Sequence, residues 1–157
     1  MDEFKSINQQ IEALYEKCLE EIKPFHTKID VCVVPEYLAK LVYEAIKIDI
    51  ANYVITIDNF GISHTLLQHG NPITEAKRGQ VAIEKVDFIK WIEVVLHPDK
   101  IILLDNTKRS NLPQIQFEKV IENKKIVVKE IRTVTSTKKK KVNRLVFQTM
   151  YKFKKPN

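Results

Sequence analysis

Several residue types are scarce in this 157-residue chain, and each scarcity excludes a class of protein. Cys18 and Cys32 are the only cysteines and do not form a CxxC pair, which excludes a disulfide scaffold and a thiolate zinc framework. No apolar run approaches the roughly 20 residues that a membrane helix needs. The acidic, amphipathic N-terminus does not resemble a secretory signal. We therefore expect a reduced, cytoplasmic protein without a membrane segment, although a protein delivered into a target cell could have the same composition.

Glycine is also scarce, and its few positions coincide with an unusual group of ionisable side chains. The stretch GISHTLLQHGNPITEAKRGQ contains all the glycines of the chain, Gly61, Gly70 and Gly79. The same stretch holds five ionisable residues, His64, His69, Glu75, Lys77 and Arg78. Histidine gives and takes protons near neutral pH. Because a packed core does not need this concentration of titratable groups, the stretch is the predicted place of any chemistry.

Negative charge is rare in the C-terminal part of the chain. Residues 1–107 carry 11 Lys/Arg and 17 Asp/Glu, a net −6, whereas residues 108–157 carry 15 Lys/Arg and 3 Asp/Glu, a net +12. The two sums give the overall +6. A basic half joined to an acidic half indicates a polyanion partner for the basic half, and phosphate backbones bind through this kind of Lys/Arg density. The alternative is a solvated lysine-rich face, and the run Lys138–Lys141 would lie in a turn.

Hydrophobic periodicity predicts helices first and strands afterwards. The predicted helices cover about Asp2–Lys23, a segment after Pro35, a segment that carries both His64 and His69, and Glu84–Leu96. The predicted strands are Lys28–Val34, Tyr53–Ile57, Lys100–Leu104, Ile115–Ile121, Lys125–Val134 and Val142–Phe153, and ITEAKRGQVAI is predicted to be irregular. This order indicates an α+β fold in which N-terminal helices pack on a roughly four-stranded antiparallel C-terminal sheet. We expect one domain over residues 1–157.

The spacing of the two histidines limits their chemistry. His64 and His69 lie five residues apart, which separates them by about 140° around a helix and disfavours an HExxH type of zinc site. A mononuclear site would need Glu75 as a third ligand, and we expect neither a metal nor a cofactor. Acid/base catalysis by His69 at the helix end is the sharper hypothesis, with His64 as a packing residue. Arg78 could bind a phosphate or pair with Glu75.

The strands near the C-terminus carry polar residues that interrupt hydrophobic runs. Glu130 and Arg132 share one face of their strand and Lys129 lies on the other, so one face is either solvated or lines a site. In the last strand, strict alternation predicts one face with Leu145, Phe147, Thr149, Tyr151 and Phe153, and the opposite face with Gln148, Met150 and Lys152.

The ordered combination of ISHTLLQHG, EAKRGQ, DFIKWIEVVLHPDKI, VVKEIRT and LVFQTMYK resembles phage-associated nuclease domains of the barnase–EndoU–colicin–RelE-like superfamily. The resemblance covers about Val31–Phe153, which leaves residues 1–30 as an N-terminal helical extension and residues 31–153 as a nuclease-like core. It implies that the characteristic polar positions are His69, Glu75, Arg78, Glu130, Thr149, Tyr151 and Lys152, with His64 just upstream.

The resemblance also implies a function, a metal-independent endoribonuclease that produces a 2′,3′-cyclic phosphate. In this hypothesis His69 transfers one proton and His64 or Tyr151 the other, while Thr149 donates a hydrogen bond to phosphate. The substrate contacts would be Glu75, Arg78, Lys129, Glu130, Arg132 and Lys152. Expected partners are RNA, such as tRNA or another structured RNA, an immunity or antitoxin protein, and a second copy of the chain. The expected place is the cytoplasm of a bacterial or phage-infected cell, or a target cell after delivery. The alternative is a non-catalytic module that binds nucleic acid or protein through the basic C-terminal half.

Overall fold

The computed structural model describes residues 3–108, 112–136 and 141–154. The helices in these ranges are α1 (Glu3–Glu20), α2 (Glu36–Ile46), α3 (Asn59–His69), α4 (Pro72–Lys77) and α5 (Lys85–Leu96). The strands are β1 (Lys28–Val33), β2 (Val54–Asp58), β3 (Gln80–Val81), β4 (Lys100–Leu104), β5 (Gln114–Ile121), β6 (Lys124–Ser136) and β7 (Lys141–Lys154). The predicted α+β class is confirmed. None of the helices in these ranges is long and apolar enough to cross a membrane.

The sheet is larger than predicted and is mixed. Strands β4, β5, β6 and β7 form the predicted antiparallel meander, and a two-residue turn at Glu122 and Asn123, both with positive φ, joins β5 to β6. Strand β2 adds to the far side of β7 in parallel, β1 pairs with β2, and β3 pairs with the end of β7. The four antiparallel strands that were predicted are therefore present, and β1, β2 and β3 extend the sheet of the described residues to seven strands.

Helix α1 buries Ile7, Ile11 and Leu14 against the rest of the molecule, as its three- and four-residue spacing predicts. The predicted end at Lys23 was wrong, because the helix ends at Glu20 and Ile22 is 96% exposed. Pro24 disfavours helical geometry at the residue before it, so the chain leaves the helix earlier. Ile22 thus does not belong to the buried stripe. Of the run Lys138–Lys141, which was predicted to lie in a turn, residues 138–140 lie outside the described residues and Lys141 is the first residue of β7.

The segment that was predicted to be irregular contains two short elements. Asn71 caps α4, since its side-chain oxygen accepts hydrogen bonds from the backbone N–H groups of Ile73 and Thr74. Gly79, with φ of +72°, then turns the chain into β3. Such short elements lack a hydrophobic period, and pairing with β7 holds β3 in place.

A β-bulge changes which side chains of β7 share a face. Lys129 pairs with Thr149 but Glu130 pairs with Phe147, so Gln148 is an extra residue in β7. The alternation shifts by one residue there. Phe147 and Lys152 consequently contact α5 on one face, whereas Tyr151 contacts Lys129 and His69 on the other. The prediction that placed Leu145 and Phe147 with Thr149 and Tyr151 was wrong for this reason.

Helix α5 covers the first of these faces, which is called here the core face. Its side chains Phe88 and Trp91 are fully buried and meet Phe147 edge-on, with ring centroids 6.0 and 5.8 Å apart. The opposite face, which carries Lys129, Thr149 and Tyr151, is called the outer face. The functional question is therefore which polar residues share the outer face.

Helix α3 lies along the edge of β7 between β2 and β3, and Gly61 permits this close approach. A Cβ atom at this position would lie 2.5 Å from the backbone oxygen of Phe147 and 2.7 Å from its ring. Asp58 caps the same helix by accepting a hydrogen bond from the Gly61 N–H. The approach places the end of α3, and therefore His69, beside the C-terminal end of β7.

Substitution of Gly61 by alanine is expected to lower the free energy of unfolding by about 1–3 kcal/mol, because the backbone of β7 would have to move. Denaturant-unfolding midpoints measure the change. Gly79→Asn is the control, since no atom of the described residues beyond its chain neighbours lies within 4 Å of a Cβ there and asparagine tolerates the left-handed conformation better than most residues, so it should cost less stability than Gly61→Ala. A Gly61→Ala protein as stable as the wild type would show that the helix is not so closely packed on β7.

Candidate active site

His69 is the last residue of α3, and its imidazole lies against the outer face of the sheet. The side chain is 12% exposed, and its ring centroid lies 5.3 Å from that of Tyr151. A backbone hydrogen bond of 2.8 Å from the N–H of Ile83 to the carbonyl of His69 ties the helix end to the segment after β3. The imidazole is thus held at the junction of α3 and β7 while part of it reaches solvent.

Glu75 fixes the orientation of this imidazole. The chain turns at Gly70 and Asn71, and α4 brings the Glu75 carboxylate, which is 0% exposed, back to His69. Its Oε2 lies 3.0 Å from His69 Nδ1. A carboxylate oxygen accepts, so Nδ1 carries the proton in this contact and Nε2 is the nitrogen that can exchange a proton with a substrate.

Arg78 completes the buried side of the cluster. Its guanidinium donates to Glu75 Oε1 at 3.1 Å and to the carbonyl of Gln68 at 2.9 Å, through the same nitrogen. Of the two alternatives left open by the sequence, the pair with Glu75 is therefore present. The side chain is nevertheless 48% exposed, which leaves donors that face solvent.

Tyr151 and Lys129 form the sheet side of the cluster. The Lys129 ammonium lies 5.6 Å from the centroid of the Tyr151 ring. Burial raises the pKa of the Tyr151 hydroxyl above its ordinary value, and the nearby Glu118 carboxylate raises it further. The hydroxyl therefore keeps its proton at neutral pH and can act as a donor.

Sequence reasoning missed the polar side chains that β5 adds to the outer face. Glu118 is 8% exposed and accepts from Gln116 at 2.6 Å, while Lys125 on β6 lies 3.1 Å from its other oxygen. The signal was available, since Gln116 and Glu118 alternate with apolar residues in the predicted strand Ile115–Ile121. These residues extend the polar outer face away from His69.

The structure does not bring all predicted site residues to this cluster. Thr149 lies on the outer face but is 7% exposed, and Thr65 donates to it at 3.4 Å. His64 is exposed and lies about 7.5 Å along the helix axis from His69, on another side of α3. Glu130, Arg132 and Lys152 belong to the core face, with Lys152 bound to Asp87 and Glu130 to Trp91. The geometry thus groups His69, Glu75, Arg78, Tyr151 and Lys129, which are called here the His69 cluster.

Metal-binding side chains do not gather in this region. Across the described ranges, three or more His, Cys, Asp or Glu side chains nowhere come together in a way that could hold a metal ion.

The buried carboxyl group of Glu130 should make the free energy of unfolding depend on pH. Burial raises the pKa of its carboxyl well above the ordinary 4.5, the charge of Asp58 adds to the rise, and the 3.2 Å hydrogen bond from Trp91 opposes it. The folded protein therefore holds a proton that the unfolded chain has lost. The free energy of unfolding should fall as pH rises above about 4.5, by up to about 1.4 kcal/mol per pH unit from this group.

Glu130→Gln removes this titration, so its stability relative to the wild type should increase steadily with pH. Urea unfolding of both proteins between pH 4.5 and 8 measures the difference. A constant difference over this range would contradict the prediction, because every other titrating group is shared by the two proteins.

Comparison with protein-family models gives the family. The model described as phage-Barnase-EndoU-ColicinE5/D-RelE like nuclease3 matches residues 33–156, which include the entire His69 cluster. The chain belongs to this nuclease family. The resemblance found in the sequence motifs is thereby confirmed. Membership in this family indicates that the chain is a phage-associated nuclease of the barnase, EndoU, colicin and RelE type. Neither the comparison with curated proteins nor that with solved structures found a match.

Proposed function

We propose that this nuclease is a metal-independent endoribonuclease that uses the 2′-hydroxyl of its substrate as the nucleophile. The observation that carries the proposal is the His69 Nδ1–Glu75 contact of 3.0 Å, in which a fully buried carboxylate fixes the imidazole beside Tyr151. A carboxylate that orients an imidazole is the arrangement by which proteins hold histidine in one tautomer for proton transfer.

In the proposed reaction, Nε2 of His69 takes the proton of a ribose 2′-hydroxyl. The 2′-oxygen forms a bond to the adjacent phosphorus, and the bond from phosphorus to the 5′-oxygen breaks, which leaves a 2′,3′-cyclic phosphate. Tyr151 donates a proton to the departing 5′-oxygen, since its hydroxyl holds that proton at neutral pH. A proton returns to Tyr151 from solvent and His69 releases one.

The positive charges of Lys129 and Arg78 flank these two groups, and they would stabilise the charge that develops on the phosphorane. The solvent-facing donors of Arg78 can contact a phosphate while its NH1 stays on Glu75. Lys129 approaches the site from the sheet, so the two cations would contact the phosphate from different sides.

The test uses a labelled RNA, purified protein and excess EDTA. The expected result is cleavage whose upstream product carries a 2′,3′-cyclic phosphate by mass spectrometry, while a fully 2′-O-methylated RNA of the same sequence stays intact. Cleavage that requires a divalent metal, or of the methylated strand, would overturn the proposal. Salt-dependent binding without cleavage would instead support the non-catalytic module.

A further inference from the structure

A cavity of about 440 Å³ opens beside the bulge of β7, at the other end of α3 from His69. Its lining includes Asp58, Phe60, His64, Ile131, Val146 and Gln148. Ile131 follows Lys129 by two residues on β6, so it lies on the same outer face as the His69 cluster. Small-ligand sites typically enclose about 300–1,000 Å³ and combine apolar walls with a few polar groups, as this cavity does.

We propose that this cavity binds an unpaired nucleobase of the RNA strand that the His69 cluster cleaves; the proposal rests on the proposed ribonuclease function. Single-stranded RNA is recognised by stacking bases on aromatic rings and by hydrogen bonds to their edges. The cavity supplies both kinds of contact, and α3 and β7, which line it, also carry His69 and Tyr151.

Phe60 supplies the stacking surface. Its side chain is 57% exposed, although a large apolar ring is normally buried, and it borders the cavity. The ring of His26 lies 4.9 Å from that of Phe60, outside the cavity lining, and supports it from another side. An exposed aromatic ring that is held in place at the mouth of a cavity is suited to stack on a base.

Gln148 supplies the hydrogen-bonding group. It is the extra residue of the bulge, and bulges redirect side chains near functional sites. Its amide oxygen is buried and has no hydrogen-bond partner among the residues that the structure describes. A buried polar atom without a partner is rare and is costly unless something else binds it. A base edge in the cavity would supply the missing donor, after a small rotation of the amide.

A smaller cavity of about 220 Å³ adjoins the first. It shares Asp58, Ile131 and Val146 with the first cavity and adds Lys28 and Arg144. Arg144 is paired with Asp30 at 3.0 Å, whereas Lys28 is exposed. The two cavities therefore extend from Phe60 to a positive side chain that can contact a neighbouring phosphate.

The test measures binding of a 2′-O-methyl RNA tetranucleotide with a fluorescent end label, which the proposed mechanism cannot cleave. Phe60→Ala is expected to weaken binding by about 5- to 150-fold, the usual effect of losing one base stack. Leu67→Ala is the matched control, because Leu67 is an exposed apolar residue of the same helix that does not line the cavity. It should bind within twofold of the wild type.

A second probe contains a set of tetranucleotides with one abasic position each. The proposal predicts one position at which removal of the base weakens wild-type binding and abolishes the effect of Phe60→Ala. Equal binding by the wild-type and Phe60→Ala proteins, or an equal effect of Phe60→Ala at every abasic position, would overturn the subsite.

Failure of the subsite and failure of the ribonuclease proposal give different results. If RNA cleavage depends on His69 but binding does not depend on Phe60, only the subsite is overturned. If the tetranucleotide binds in a Phe60-dependent manner and RNA is never cleaved, the base site stands and the ribonuclease proposal fails.

Discussion

Replacement of His69 by alanine is expected to lower the rate of RNA cleavage at saturating substrate by about 10²- to 10⁴-fold, the usual contribution of one acid/base group. The loss follows from the geometry, because the Nδ1 contact with Glu75 leaves Nε2 as the proton acceptor beside Tyr151. Single-turnover rates in EDTA measure the effect. Glu75→Gln retains an acceptor for Nδ1 but loses the negative charge. The cleavage rate of this variant should therefore lie between those of the wild type and of His69→Ala.

His97→Ala is the matched control for this experiment. His97 also lies at the C-terminal end of a helix and is exposed. It stacks on Tyr37 of α2, which does not belong to the His69 cluster. Its cleavage rate should equal that of the wild type. Cleavage undiminished in a folded His69→Ala protein would remove His69 from the mechanism. His64→Ala should weaken substrate binding rather than the rate at saturation, since His64 borders the proposed base cavity.

The second large effect concerns stability. Lys152→Met is expected to lower the free energy of unfolding by about 3–5 kcal/mol, because it leaves the carboxylate of Asp87 buried without its partner. The two side chains are 7% and 3% exposed, and Lys152 Nζ lies 2.7 Å from Asp87 Oδ2. Chemical denaturation measures the loss.

The double variant Lys152→Met/Asp87→Asn should recover most of this stability. Asparagine keeps an oxygen that can accept the 2.7 Å hydrogen bond from the Glu84 N–H, which caps α5, but it carries no charge. The recovered protein should also cleave RNA at a rate close to that of the wild type, because Lys152 lies on the core face. A stable double variant without activity would instead support the substrate contact predicted from the sequence.

The helices and the C-terminal meander could be predicted from the sequence because each has a clear hydrophobic period. The two short elements α4 and β3 could not, since a capping Asn71 and pairing with β7 hold them rather than an apolar stripe. The bulge at Gln148 could not be predicted either, because a single extra residue does not change the alternating pattern in a recognisable way.

Part of the candidate site could also be predicted from the sequence. His69, Glu75 and Arg78 are close in the sequence, so their proximity in space follows from one turn between two helices. Tyr151 was predicted as a site residue only from the resemblance to a family. Alternation correctly separated Lys129 from Glu130, but only the packing of Trp91 and Asp87 of α5 reveals which face is buried. Catalytic roles, substrate and the predicted protein partners stay predictions.

In the proposed mechanism, the substrate's own 2′-hydroxyl, activated by His69, breaks the RNA strand. The most direct measurement uses a DNA oligonucleotide that contains a single ribonucleotide, incubated with the protein in EDTA. The proposed mechanism predicts one cut, immediately 3′ of the ribonucleotide, with a 2′,3′-cyclic phosphate on the upstream fragment, and a cut that is about 10²- to 10⁴-fold slower with His69→Ala. Cutting at deoxynucleotides, or the same cut at the wild-type rate by the His69→Ala protein, would contradict it.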